Sequence, residues 1–208
     1  MLMMVELALL GTRSTSDAHV EDSLHWSIHN YHAATSTHCH RVGRIAGLIA
    51  RQLGLSNAEV RSIARAARLH DIGKIDLPSH LLLKSGKLTA DERAMMDCHP
   101  ELGVARIARL IDDPTIIAVV GCHHEQWDGC GYPRGLGGEQ IPLSARIVAV
   151  ADVYDALREK RSYKSAYNHA EALAYLIDAS GTKFDPAVVE AFVAIAHHAA
   201  SIIAKIYS

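Results

Sequence analysis

The chain has 208 residues, enough for one domain, or for one domain and a short extension. Hydrophobic residues make up 49% and aromatics only 5%, so the core must be aliphatic and Ala-rich, as in packed helices. The net charge of −2 excludes a protein that coats nucleic acid polymers, but leaves room for a locally basic pocket that takes a phosphorylated ligand.

The N-terminus, MLMMVELALLG, lacks a basic leader, carries Glu6 and is too short to span a bilayer. It reads as a packed helix or strand. Residues 11–30 carry the least pattern and are expected as a loop or a loosely docked arm. Val42, Ile45, Ala46, Ile49 and Leu53 then follow the spacing of one helix face, and Gly54 fits its stop. Ser56 with Glu59 is a capping box that opens a helix through Leu69. Thr89 with Glu92 is a second, opening a helix over 90–110. Asp113-Pro114 starts a helix to about His124, and 142–159 reads as another. Asn168 with Glu171 caps a helix over 169–179. Asp185-Pro186 places a cap and then Pro at the first helical position of a last helix. No run of alternating strand residues stands out, so the fold class is all-α. Cys39, Cys98, Cys122 and Cys130 form no CxxC pair and read as reduced, cytosolic thiols.

The chain has 14 histidines, so each must be weighed separately. His38 and His99, taken alone, are more often structural than ligating. His70-Asp71 ends an apolar helix. Neighbouring helical residues point about 100° apart, so this imidazole and carboxylate can bracket a metal pair, with the carboxylate bridging. His123-His124 closes another apolar helix. Asp152 interrupts the apolar run IVAVADVYDAL, where an unpaired carboxylate would be costly. The set His, His-Asp, His, His-His and Asp falls on successive helices. Imidazole nitrogen and carboxylate oxygen suit transition metals. Six or more ligands exceed one tetrahedral zinc and point to two metals, roughly 3.5–4 Å apart in such centres.

From about Thr37 to Phe192 these residues resemble the HD-GYP subgroup of the HD-domain metal-dependent phosphohydrolases. The motifs are HCHRV (38–42), HDIGKIDLP (70–78), LLLKSGKL (81–88), HPELG (99–103), HHEQWDGCGYPRGLGGEQIPL (123–143), RIVAVADVYDAL (146–157), RSYK (161–164) and GTKFDP (181–186). The resemblance implies an all-α HD-domain helical bundle with an irregular GYP loop. Residues 1–35 would be a short N-terminal extension and 36–208 the catalytic domain. The implied activity is a phosphodiesterase that opens the bacterial messenger cyclic di-GMP by a metal-bridged hydroxide.

Position by position, the implied metal ligands are His38, His70, Asp71, His99, His123, His124 and Asp152, with Asp71 bridging. The implied metals are two divalent transition ions, Fe or Mn first, with Zn, Ni or Co as alternatives. Lys74 lies one turn after the HD pair. The resemblance makes it a phosphate contact that helps the leaving group. Arg161 and Lys164 of RSYK would contact the ligand's phosphates. Gly131, Tyr132 and Pro133 would shape the substrate side, Tyr132 by packing or by hydrogen bonding. Asp155 would hold Lys74 or a ligand histidine from behind. Glu125 and Asp128 are expected to order the loop. The pattern is broken at Ala34, where many relatives carry a Glu that helps to hold a third metal.

The sequence thus points to a cytoplasmic hydrolase yielding pGpG or, after a second cut, GMP. Its expected partners are cyclic di-GMP, a regulatory protein in trans and a second copy of the chain, with no membrane and no nucleic acid polymer. About 35 residues before the catalytic region are too few for a receiver domain. The competing readings are a hydrolase of another cyclic dinucleotide or guanosine nucleotide, and a non-catalytic module that senses cyclic di-GMP.

Overall fold

The computed structural model describes residues 15–159, 166–198, 203, 206 and 207. The N-terminal apolar stretch and the RSYK segment, with Arg161 and Lys164, lie outside these residues. The helices in chain order are α1 (Thr15–Tyr31), α2 (Ala33–Gln52), α3 (Asn57–Leu69), α4 (Ser79–Leu82), α5 (Ala90–Asp97), α6 (His99–Ile107), α7 (Pro114–Cys122), α8 (Leu143–Arg158), α9 (His169–Asp178) and α10 (Pro186–His198). A 3-10 turn over Ile72–Asp76 follows α3, and a second over Gly138–Gln140 precedes α8. Among the described residues there is no β-strand, only isolated bridges at Asp128–Gly137 and Ser180–Phe184. The all-α class is therefore what the chain adopts.

The centre of the bundle is α2. Its apolar face, Val42, Ile45, Ala46 and Ile49, is fully buried, and α2 packs chiefly against α3 and α8. Gly54 ends the α2 region with φ +77°, as its position predicts. The three capping boxes at Ser56, Thr89 and Asn168 all form, and Asp113 caps α7 through Thr115 N and Ile116 N. Each such cap contributes about 1 kcal/mol to its helix.

Two expectations are corrected. Residues 15–31 are a docked helix, not a loop or a loose arm. Leu24 and Ile28, four apart on one face, join the main core. Full burial of such side chains contributes about 1.5–3 kcal/mol each. Glu21 pairs with Arg65 of α3, and the Tyr31 hydroxyl donates to the Leu77 carbonyl. The pattern was faint because only one short stripe of α1 is apolar.

The single helix expected over 90–110 is two, α5 and α6, broken at Cys98. Pro100 has no N–H to donate to the Met96 carbonyl, so the helix cannot run on unchanged. The His99 ring takes that carbonyl instead, through Nδ1 at 2.8 Å. The break thus aims a histidine.

Candidate metal centre

Every histidine of the expected set is brought to one place. His38 projects from α2, and His70 caps the end of α3. Asp71 opens the 3-10 turn, His99 opens α6, and His123 caps the end of α7 with His124 next. Asp152 comes from the middle of α8. His99, His123 and His124 offer ligand atoms that lie within 4.8 Å of one another, and His38, His70 and Asp152 form a second such group. Asp71 stands between the groups. Its Oδ1 is 3.3 Å from His99 Nε2 and 3.9 Å from His123 Nε2, while its Oδ2 is 3.5 Å from His70 Nε2.

The ring tautomers follow from what Nδ1 does. His70 Nδ1 donates to the Ala67 carbonyl at 2.7 Å, and His123 Nδ1 to the Val119 carbonyl at 3.0 Å. His99 Nδ1 donates to Met96 O, as above. In its neutral form each ring would therefore turn an Nε2 lone pair inward, as metal-binding imidazoles do. His99 Nε2 and His123 Nε2 then face each other at 3.1 Å. Two lone pairs at that distance repel unless a cation lies between or beside them. His70 Nε2 and Asp71 Oδ1 are buried without a hydrogen-bond partner, a costly condition in a protein interior. These orphaned atoms fit a site built for metal ions.

The electrostatics agree. Burial, together with the neighbouring His124 and His70, pushes His123 well below the ordinary imidazole range, and burial takes His124 down to about 3. Burial likewise lowers His70. These rings are neutral at pH 7, the form in which an imidazole can bind a metal. Burial would raise the Asp71 carboxyl, but Lys74, His70 and His99 outweigh it and keep Asp71 ionised. His38 behaves differently. Burial works against its charge, yet contact with Asp152 and Asp155 lifts it to about 10. Its Nε2 is 2.9 Å from Asp152 Oδ1 and its Nδ1 2.7 Å from Asp155 Oδ2.

A pH effect follows. A metal held at this half by His38 would displace the Nε2 proton that the raised pKa of the ring, about 10, keeps in place at neutral pH. Loading from pH 7 to 9 should therefore release about one proton from His38, besides any lost by metal-bound water, and apparent affinity should rise about tenfold per pH unit. An indicator dye would read the protons, and His38→Ala should release about one fewer per protein. Equal release by the two proteins would show that His38 is not displaced.

A sequence profile of the HD domain family matches residues 23–188. The chain belongs to the HD domain family. Within it, the HD-GYP resemblance holds. The cyclic di-GMP phosphodiesterase response regulator RpfG of Xanthomonas campestris is 52% identical over 161 residues, covering 76% of this chain and 42% of that protein. A Vibrio cholerae protein named 3'3'-cGAMP-specific phosphodiesterase 2 is 41% identical over 158 residues, 75% of this chain and 30% of that protein. The chain thus spans less than half the length of these relatives. Among solved structures, Bd1817 of Bdellovibrio bacteriovorus, an HD-GYP-type protein, superposes with a TM-score of 0.65 at 23% identity, over 78% of this chain and 52% of that one. That likeness supports the fold. Phosphohydrolases of the HD family depend on metals, and the clustered His and Asp residues here are groups that can bind them.

The HD-GYP loop closes one side of the centre. Glu125 is buried, and its carboxylate accepts from Arg134 N at 2.8 Å and Leu136 N at 3.0 Å. Asp128 accepts from Cys130 N. Both acidic residues order the loop. Gly131 is needed for close approach, since a Cβ there would lie 2.2 Å from Gln126 N and 2.5 Å from Glu125 Cα. Of the two roles left open for Tyr132, the packing is seen: its ring stacks on His124, with centroids 4.7 Å apart. Burial and the negative charge of the nearby Asp97 push its phenol up. The GTKFDP segment braces the loop, with Trp127 N donating to Lys183 O and Asp128 N to Thr182 O. Arg146 adds a bond to Asp185 at 2.5 Å.

Lys74 Nζ is 2.6 Å from Asp71 Oδ2 and keeps a partly exposed side chain. Asp155 does not reach Lys74; it holds His38. Sequence reasoning missed Arg41, whose guanidinium grips Asp155 with Nε and Nη2 at 2.7 and 2.8 Å. Its position three residues after His38, on the same helix face, was the available signal. It also missed Cys39, which lies within ligand distance of His70 and Asp71.

Proposed function

We propose that the chain is a cyclic di-GMP phosphodiesterase that works with two divalent transition metals, Fe or Mn before Zn, Ni or Co. The observation that carries this reading is the placement of Asp71, one oxygen toward each cluster of ligand atoms. The name and identity of the RpfG relative support the substrate. His99, His123, His124 and Asp71 would hold one ion, and His38, His70, Asp152 and Asp71 the other. When bound, such a pair acts as a Lewis acid toward phosphoryl oxygen and acidifies water at neutral pH. The protein's own groups do the rest. Lys74, partly exposed where Asp71 is buried, presents an ammonium beside that carboxylate, where it can neutralise a nonbridging phosphate oxygen. Tyr132, stacked on His124, would wall the site on the loop side. Arg161 and Lys164 would extend the phosphate contacts.

Purified protein should contain about two transition-metal ions and should hydrolyse cyclic di-GMP faster than cyclic di-AMP or cyclic GMP-AMP. Faster turnover of the mixed dinucleotide would favour a second reading, supported by the 3'3'-cGAMP-specific relative. Metal without turnover of any dinucleotide would overturn both.

The product is expected to be pGpG. Ala34 is exposed in the first turn of α2, one turn before His38, and offers no carboxylate. His32 Nδ1 is committed to capping α2 through Thr35 N. The second cut brings a terminal phosphate with extra negative charge, which a third cation would stabilise. A chromatographic time course should show pGpG accumulating, and Ala34→Glu should raise both metal stoichiometry and GMP formation. Rapid, complete conversion to GMP by the unaltered protein would overturn this. No described helix is long and apolar enough to cross a membrane. A cytoplasmic location, a regulatory partner in trans and a homodimer go with the proposed activity.

A further inference from the structure

Asp155 is fully buried and takes four hydrogen bonds, as many as a carboxylate has lone-pair sites. Oδ2 receives His38 Nδ1 at 2.7 Å and Arg41 Nη2 at 2.8 Å. Oδ1 receives Arg41 Nε at 2.7 Å and the Tyr207 hydroxyl at 2.8 Å. Three of these donors come from α2, beside the centre. The fourth comes from the far end of the chain, beyond the segment 23–188 that matches the HD family.

Tyr207 is delivered there by packing. Ile203 and Ile206 are buried in the main core just before it. The Tyr207 ring lies under two guanidinium groups, Arg41 at 5.7 Å and Arg158 at 5.2 Å, and 6.4 Å from the Tyr154 ring. The contacts of the ring and of the hydroxyl are therefore separable. The ring packs and balances cations, while the hydroxyl, among the described residues, donates to the carboxylate that holds His38.

We propose that Tyr207 is a positioning residue for the metal centre: its hydroxyl completes the bonding of Asp155, which fixes the ring orientation of His38. This rests on the reading of His38 as a metal ligand. Without the hydroxyl, Oδ1 keeps one donor in a buried place, and the carboxylate is free to tilt about its Arg41 bonds. The His38 ring, hydrogen-bonded to the other oxygen, moves with it. The partners behind metal ligands typically change metal affinity by about ten- to a hundredfold when lost. With three of the four bonds kept, the lower end applies.

The test uses the whole chain and Co(II) and Mn(II) as probes. Tyr207→Phe keeps the ring and removes the hydroxyl. Chelator competition should show about tenfold weaker binding of one of two ions, with the other unchanged. The visible spectrum of the Co(II)-loaded protein should change. In an Asp155→Asn background, the same substitution should add nothing further, because the effect travels through Asp155. Thermal unfolding of the metal-free variants checks that they fold. Unchanged Co(II) affinity and spectrum in a folded Tyr207→Phe protein would overturn the proposal. So would an equal loss in the Asp155→Asn background, which would make the role of Tyr207 structural only. If the unaltered protein took up neither ion, the metal centre itself would fall, and this proposal with it.

Discussion

Asp71→Ala is expected to remove both catalysis and most of the metal. The two Asp71 oxygens face different groups of histidines, so one side chain is placed to serve both halves of the proposed centre. Unit charges about 4 Å apart repel by about 4 kcal/mol at an effective dielectric near 20, and a divalent pair by about four times that. A bridging anion offsets much of this repulsion. Alanine leaves it uncompensated. It also leaves the Lys74 ammonium, which burial disfavours, without the carboxylate that keeps it charged. Turnover should fall about a thousandfold or more, with metal content well below two ions per chain. Asp71→Asn keeps one acceptor oxygen and should retain more metal than Asp71→Ala. Normal turnover by an Asp71→Ala protein carrying two metals would remove Asp71 from the proposed role.

Much of this site could be read from the sequence because its residues sit at helix ends and on apolar faces, where they break local rules. Asp152 is a carboxylate in an aliphatic run, and His70-Asp71 and His123-His124 end apolar helices. Capping boxes gave the helix starts because that signal is local. What stayed hidden depends on contacts distant in sequence. Nothing near Tyr207 indicates that it reaches Asp155, 52 residues away. The docking of α1 rests on a short stripe, Leu24 and Ile28, too sparse to set a period. The break at Cys98 was legible in principle, since Pro100 forbids one helical bond. Its consequence, that His99 captures the freed Met96 carbonyl, is visible only in three dimensions.

Gly73→Ala should be the most damaging substitution outside the ligands. Gly73 lies in the 3-10 turn that carries Asp71 at its start and Lys74 beside it. That turn packs on the start of α6, where His99 sits. A Cβ on Gly73 would lie 2.0 Å from the His99 carbonyl oxygen, 2.5 Å from Gly103 N and 2.9 Å from Gly103 Cα. All three are backbone atoms, so no side chain can swing aside. The turn and α6 would have to separate by about 1 Å or more to restore contact distance. Asp71 Oδ1 and His99 Nε2, now 3.3 Å apart, would part with them. Overpacking of this kind costs about 3 kcal/mol or more where backbone must move. Unfolding in urea should show that loss, and metal analysis should show depletion at the His99, His123 and His124 half. Gly86→Ala is the control, since a Cβ there meets nothing within 4 Å, and its stability should stay within about 0.5 kcal/mol of the original. A Gly73→Ala protein with unchanged stability and full metal content would mean that the HD turn and the His99 helix do not meet through this glycine.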